Sequence, residues 1–199
     1  MAMTPEVLTS TVSVASEPNI RIDENDRLYE IIDGIRINKP VGNKEVLFAN
    51  HLAYLINKFA VPRRLGLAMV EVLLDLGKHD RPRRRPDLIF VSQERLNPKG
   101  KLPTGDTWTI VPELAVEVVS PSNYAFEIQS KILEYFDSGI SCVWIIYAEI
   151  EMIYVYDGPT SVRLVDRAGE LDCGAFLPGL RIPMADIFGD DAAAPAPPA

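Results

Sequence analysis

Hydrophobic and polar positions along the chain predict an α/β arrangement. Near the start, two short apolar stretches flank Asp33-Gly34 between Tyr29 and Ile37, a pattern typical of a β-hairpin with a tight turn. From Glu45 to Phe59 apolar residues recur at steps of three and four, which predicts a helix with one apolar face. The residues of that face are Phe48, Leu52, Leu55, Ile56 and Phe59.

After Pro62 the apolar runs become short and are bounded by turn-forming residues, as expected for strands. These runs are Ala68 to Leu76, Leu88 to Val91, Leu114 to Val119, Cys142 to Tyr147 and Met152 to Tyr156. Before the fourth run, Ser122 or Asn123 can cap a second helix that ends near Asp137, and Gly139 stands where a left-handed residue is expected. This order predicts an α/β fold with a mixed central β-sheet flanked by helices.

The composition favours one compact domain between two tails. With 199 residues, 47% of them hydrophobic, the chain can bury a single core. Residues 1–18 lack helical periodicity, and residues 190–199 end in a run of Ala and Pro. We therefore expect disordered or extended tails on either side of one domain at residues 19–189.

Charge, cysteine content and hydropathy limit the functional classes. A formal net charge of −8 argues against a protein that coats nucleic acid through an overall positive field. Two cysteines without a CxxC pairing and only two histidines argue against a zinc site and suit a reducing compartment. No apolar run approaches the roughly 20 residues that span a bilayer, and the N-terminus lacks the pattern of a secretory signal. We expect a cytoplasmic protein without a membrane segment.

Two acids occupy unusual positions in the predicted strands. Asp87 follows Pro86 and opens an apolar strand, whereas Glu117 interrupts a run that suits a strand buried on both faces. Because burying a lone carboxylate is costly, Glu117 needs a cation, a hydrogen-bond partner or a metal. If the two strands are neighbours, both acids can converge on one hard divalent ion; Mg²⁺ fits best, with Mn²⁺ as a substitute.

Lys131 lies on the second predicted helix, at the edge of its apolar arc, and its long side chain could reach the end of the sheet. Each candidate also has a structural interpretation. Asp87 suits an exposed turn, and Glu117 suits a pair with an arginine of a neighbouring strand. Glu127, four residues before Lys131, suits a helical ion pair with it.

A basic run leads into the Asp87 strand. It contains Arg81, Arg83, Arg84 and Arg85, and Lys99 and Lys101 follow the strand. Such a patch could bind phosphate near a metal, with Arg83, Arg84 and Arg85 as the candidates. A solvated loop is an equally good interpretation.

Five motifs stand in a fixed order along most of the chain. They are Tyr29-Glu30-Ile31-Ile32-Asp33-Gly34, Arg85-Pro86-Asp87, Glu117-Val118-Val119-Ser120-Pro121-Ser122, Lys131…Tyr135…Gly139…Trp144-Ile145-Ile146, and Leu177-Pro178-Gly179-Leu180 before Ile187-Phe188. Together they resemble the Uma2-like restriction endonuclease family, formerly a domain of unknown function, within the PD-(D/E)XK nuclease superfamily.

The resemblance implies a restriction-endonuclease-like core in which Asp87 and Glu117 bind Mg²⁺ and act with Lys131 to hydrolyse phosphodiester bonds of DNA. The superfamily pattern places a lysine two residues after the second acid, where this chain has Val119. In the Uma2-like group a lysine of the next helix is thought to take that role, which implies Lys131. The superfamily also often uses a glutamate of the first helix, which implies Glu45 as an additional acid. A homodimer is expected, because cutting a duplex takes two active sites or two events.

A catalytically silent nuclease-like domain, acting as a nucleic-acid-binding or regulatory module, is the alternative. The fold by itself does not decide between them. The three candidate residues favour the enzyme, whereas the net charge of −8 and the displaced lysine favour the silent module.

Overall fold

The described part of the chain includes most of the predicted domain. The computed structural model describes residues 28–40, 42–75, 77, 82–96, 103–121 and 123–189. The predicted tails, 1–18 and 190–199, lie outside the described residues, as do Leu76, Arg81, Lys99, Lys101 and Ser122.

The elements form a mixed sheet with helices on its faces. The helices are α1 (Asn43–Ala60), α2 (Ala125–Asp137) and α3 (Met184–Phe188). The strands are β1 (Tyr29–Ile32), β2 (Ile35–Asn38), β3 (Gly66–Val70), β4 (Leu73–Leu74), β5 (Leu88–Ser92), β6 (Thr107–Trp108), β7 (Leu114–Val118), β8 (Cys142–Tyr147), β9 (Met152–Gly158), β10 (Ser161–Val165), β11 (Glu170–Asp172) and β12 (Arg181–Pro183).

Six strands make the central sheet, in the order β10-β9-β8-β7-β5-β3. Strands β7 and β8 run parallel, and the other neighbours in this sheet run antiparallel. A parallel pair needs a long crossover, and α2 provides it between β7 and β8. The predicted mixed α/β fold is confirmed.

The predicted hairpin forms from β1 and β2. Asp33 and Gly34 adopt φ values of 51° and 76°, and Ile32 pairs with Ile35 across the two-residue turn. Reciprocal backbone hydrogen bonds of 2.9 and 2.8 Å between Ile31 and Arg83 attach the hairpin to the segment that leads into β5. The hairpin therefore lies against the chain that carries Asp87.

Side chains alternate between the two faces of the sheet, and a helix covers each face. Leu88, Leu114, Val116 and other core residues pack in one cluster with residues of α1. Ala115 and its neighbours on the opposite face pack with residues of α2. By the same alternation Glu117 shares a face with Ala115, towards α2. None of the helices in the described ranges is long and apolar enough to cross a membrane.

Two local predictions were wrong. The strand predicted from Ala68 to Leu76 is divided, because Glu71 adopts a left-handed φ of 56° after β3, and β4 pairs instead with β6 in a separate small sheet. The N-cap of α2 is Tyr124, whereas the Asn123 side chain accepts a 2.8 Å hydrogen bond from the Ser120 amide and closes the preceding turn. At the other end of α2, Gly139 has the predicted left-handed φ, 92°.

Candidate active site

Asp87 and Glu117 come together on one face of the sheet. Leu88 pairs with Val116, so continuing this antiparallel register by one residue sets Asp87 opposite Glu117. Opposed residues of an antiparallel pair point to the same face. The Val118 amide donates a 2.6 Å hydrogen bond to Asp87 Oδ2, which fixes the aspartate beside β7. Both acids are buried, with exposed fractions of 4% and 7%, so Asp87 is not an exposed turn residue.

Two side chains of α2 reach the Glu117 carboxylate. The Tyr135 hydroxyl donates to Oε1 at 2.5 Å, and the Lys131 ammonium donates to Oε2 at 3.0 Å. Residues four apart lie on one face of a helix, which is why α2 presents both groups together. Lys131 thus bonds Glu117 rather than the helical partner Glu127, and the cation beside Glu117 is a lysine rather than an arginine.

Burial and neighbouring charges shift the pKa values of Glu117 and Lys131. Burial raises the pKa of the Glu117 carboxyl, the Lys131 ammonium opposes that rise, and the negative charge of Asp87 adds to it. Burial alone would lower the pKa of Lys131, but Glu117 and Glu30 outweigh burial and raise it. The Lys131 ammonium therefore stays charged beside Glu117.

Glu30 of β1 connects the site to a second ion pair. Its Oε1 accepts a 3.0 Å hydrogen bond from the Arg85 amide and lies 3.4 Å from Lys131 Nζ, while its Oε2 accepts from Arg84 Nη1 at 3.0 Å. Arg84 in turn donates two hydrogen bonds, of 2.6 and 2.9 Å, to Glu134 of α2. Burial opposes ionisation of Glu30, but Lys131, the Arg85 amide and Arg84 outweigh it and lower its pKa.

Lys39, which directly follows β2, binds the other acid. Its ammonium donates to Asp87 Oδ1 at 2.7 Å, to both carboxylate oxygens of Glu71 at 3.1 and 3.0 Å, and to the Arg85 carbonyl at 2.9 Å. Burial would lower the pKa of Lys39, yet Asp87, Glu117 and Glu71 together raise it. We call Lys39, Glu71, Asp87 and the Arg85 carbonyl the Lys39 cluster.

The basic run before Asp87 is turned largely towards the protein. Arg84 is buried, and Arg85 donates to the carbonyls of Tyr29, at 3.1 Å, and of Glu71. Arg83 pairs with Asp75 at 2.7 Å and keeps 43% of its side chain exposed. Of the three candidate phosphate ligands, Arg84 is therefore committed to the interior.

Glu45 lies apart from the hydrogen bonds that unite the two acids. It stands in the first turn of α1, and a Cβ built on Gly42 would come within 2.0 Å of Glu45 Oε2. The carboxylate thus folds over the start of its own helix, where the helix dipole favours a negative charge.

Glu30, Tyr135, Lys39 and Glu71 had no assigned role in the sequence interpretation. Glu30 and Tyr135 belong to the motifs that carried the resemblance, so their positions gave a signal without a chemical reason. Lys39 and Glu71 gave none, because Lys39 meets its partners Glu71 and Asp87 from 32 and 48 residues away.

A divalent cation fits the two acids by the chemistry of their donors. Asp87 and Glu117 present carboxylate oxygens, and an oxygen that accepts one hydrogen bond keeps a second lone pair. Mg²⁺ is often held by one or two carboxylates and keeps several waters. Within the described ranges, no group of three or more His, Cys, Asp or Glu residues could hold a metal ion. In such a site Asp87 and Glu117 would supply two protein ligands, and water would supply the others.

Comparisons with known proteins point to nucleases. The family described as "Uma2: Putative restriction endonuclease" matches residues 16–185. A solved structure from Anabaena variabilis, described as a putative nuclease belonging to DUF820, matches with a TM-score of 0.71 and 21% sequence identity, over 84% of this chain and 93% of that one. No curated protein matches the chain. At 21% identity the likeness shows the fold, in agreement with the predicted class.

Proposed function

The chain belongs to the Uma2 family, and from this we propose that it is a metal-dependent endonuclease that hydrolyses phosphodiester bonds of DNA. The observation that carries the proposal is the placement of Asp87 opposite Glu117 on the α2 face of the sheet, with Lys131 hydrogen-bonded to Glu117. The proposed catalytic domain spans residues 19–189.

Asp87 and Glu117 would hold Mg²⁺, or Mn²⁺ in its place. When bound, the metal polarises a phosphoryl oxygen and lowers the pKa of a water. Lys131, charged and 17% exposed at its side chain, can orient the attacking water or offset the negative charge that develops on the phosphate. Glu45, folded over the start of α1, remains a prediction as an additional acid.

Other side chains position these groups. The Tyr135 hydroxyl fixes one oxygen of Glu117, which leaves the second oxygen for Lys131. Glu30 lies between Lys131 and Arg84 and holds both cations near β1. We assign Tyr135, Glu30 and Arg84 to positioning, because Tyr135 binds Glu117, Glu30 pairs with Lys131, and Arg84 binds Glu30.

Duplex DNA, a homodimer and a cytoplasmic location remain predictions. Among the arginines before Asp87, Arg83 is the best candidate for a phosphate contact, because its side chain keeps 43% of its surface exposed. Arg85 is half-buried and Arg84 is buried. A phosphate contact by either would require them to exchange an internal partner for the substrate.

The ion pairs also suit the silent alternative. Asp87 and Glu117 each have a lysine partner within 3.0 Å, so both acids are compensated inside the protein without a metal. In that case the acids stabilise a binding or regulatory module, and removing them affects stability alone.

Nicking of supercoiled plasmid with Mg²⁺ or Mn²⁺ tests the enzyme against the silent module. We expect Glu117→Gln and Asp87→Asn to lower the metal-dependent rate by at least about 100-fold, since even outer-shell changes at metal sites cost 10–100-fold. Glu113→Gln is the matched control: Glu113 is a buried acid that pairs with Arg95 at 2.9 Å, outside the cluster. It should keep its rate.

Folding of each variant is checked by near-ultraviolet circular dichroism. Equal nicking by the wild type and a folded Glu117→Gln variant would assign the activity to a contaminant and remove the proposal. DNA binding without cleavage in either metal would support the silent module instead.

A further inference from the structure

The Lys39 ammonium has the surroundings that a hard metal cation prefers. Its four hydrogen-bond acceptors are oxygens, three from carboxylates and one from a backbone carbonyl, at 2.7 to 3.1 Å. Mg²⁺ and Ca²⁺ take ligands of the same kinds. One of these oxygens belongs to Asp87, which is also a proposed metal ligand.

We propose that Lys39 is a tethered cation that competes with the divalent metal for Asp87. The inference rests on the proposed metal site. In the metal-free protein the ammonium pairs with both Asp87 and Glu71, and a metal that binds Asp87 must displace it or share the carboxylate with it. Lys39 thereby weakens metal binding and keeps the acids compensated while the metal is absent.

The backbone around Lys39 is fixed, whereas its side chain is long. The Lys39 amide donates a 2.8 Å hydrogen bond to the Leu28 carbonyl, and Pro40 follows. Four side-chain carbons separate this anchored backbone from the ammonium, so the charge can leave Asp87 without a shift of the hairpin. The Lys39 side chain is 11% exposed, so the ammonium has a path to solvent.

Glu71 is held in place to receive Lys39. It adopts a left-handed φ of 56°, which is uncommon for a residue with a side chain. Its carbonyl accepts a hydrogen bond from Arg85, and its amide lies 3.3 Å from the Asp87 carbonyl. Glu71 therefore gives the ammonium a second carboxylate besides that of Asp87.

Calorimetric titration with Ca²⁺ or Mn²⁺ alone tests the competition without relying on cleavage. In Lys39→Met we expect the metal dissociation constant to fall at least about tenfold, because a unit charge a few ångströms from a ligand oxygen is removed. Lys44→Met is the matched control, since Lys44 forms an exposed ion pair with Glu149 at 2.6 Å. Its metal affinity should equal that of the wild type.

Melting gives a second measurement. Without metal, Lys39→Met should melt below the wild type, because Asp87 and Glu71 lose their counter-ion, and millimolar Ca²⁺ should raise its melting temperature more than that of the wild type. If the variant does not fold, it is refolded from denaturant with and without Ca²⁺. Refolding only when Ca²⁺ is present supports the competition. Failure to refold under both conditions overturns it.

The results separate this inference from the nuclease proposal. Tighter metal binding by Lys39→Met, with no nicking by the wild type or by any variant, would support the competition and contradict the nuclease proposal. Unchanged or weaker metal binding by folded Lys39→Met, or no metal binding by either protein, would overturn the competition, whatever the plasmid assay shows.

Discussion

Glu117 has the most demanding environment of the residues in the site. It lies in a strand whose other four residues are apolar and buried, and its carboxylate receives a hydroxyl and an ammonium from α2. A buried carboxylate without such partners would be strongly destabilising. The stability of the protein should therefore depend on the two groups that satisfy it.

Replacing Tyr135 by phenylalanine tests this dependence at a single atom. Tyr135→Phe keeps the ring in its apolar layer but removes the 2.5 Å hydrogen bond to Glu117 Oε1. We expect the free energy of unfolding to fall by about 1–3 kcal/mol, the effect of leaving a buried acceptor unsatisfied. Urea unfolding measures it. Tyr147→Phe, at a half-buried tyrosine of the same layer, is the control, and an equal loss in both variants would contradict the assignment.

The sequence alone indicated both acids, but only one of the two lysines that pair with them. Asp87 and Glu117 were recognisable because each is a charge placed in an apolar strand pattern. Lys131 was recognisable from its helix face. Lys39 was not, because a lysine after a hairpin looks like any surface residue until Glu71 and Asp87 are brought to it by the fold.

Elements with strong periodicity were predictable, and elements that depend on distant pairing were not. The 3.6-residue period of α1 and the Asp33-Gly34 turn are local properties, and both were confirmed. The break at Glu71 depends on contacts with Arg85 and Asp87, which the apolar run from Ala68 onward does not reveal.

The last strands show the same limit. Four of the five residues of β10 are exposed, including two apolar ones, so its pattern lacks the alternation of a half-buried strand. Strands β11 and β12 contain three residues each and pair only with one another. Such short segments give too little periodicity to predict.

Gly66 tests the junction between β3 and β5. A Cβ at this position would lie 2.2 Å from the Val91 carbonyl oxygen, and Gly66 has a φ of 150°. We expect Gly66→Ala to lower the free energy of unfolding by about 3 kcal/mol, since overpacking forces the strands apart. Thermal or urea unfolding measures the change. Gly158→Ala, whose added Cβ would make an ordinary 3.8 Å contact, is the control; a similar small effect in both would show that β3 shifts freely.

At the scale of the whole molecule, negative charge is abundant but compensated at the site. The formal net charge is −8, yet Glu30, Asp87 and Glu117 each lie within 3.4 Å of a lysine or arginine nitrogen. The acids of the site are therefore paired inside the protein, and the net negative charge arises from other residues. Attraction of DNA would therefore depend on local groups such as Arg83 rather than on the total charge.

Cys142 and Cys173 report on opening of the whole molecule. Both are free and lie in the core cluster beneath α1, where burial raises the pKa of each thiol to about 12. Because the thiolate is the reactive form and a raised pKa makes it scarce, we expect neither thiol to react with Ellman's reagent in the native protein at mildly alkaline pH. Both should react in concentrated guanidinium. Rapid reaction of one thiol in the native protein would contradict a core that opens only as a unit.

The open end of the hairpin β1–β2 contacts both halves of the site. Glu30 leaves β1 towards Lys131 and Arg84, and Lys39 follows β2 towards Asp87. A tilt of this one ribbon away from the sheet would withdraw a neighbour from each half of the charge network in a single movement. The surroundings of Asp87 and Glu117, which different strands carry, are thus coupled through movement of the hairpin.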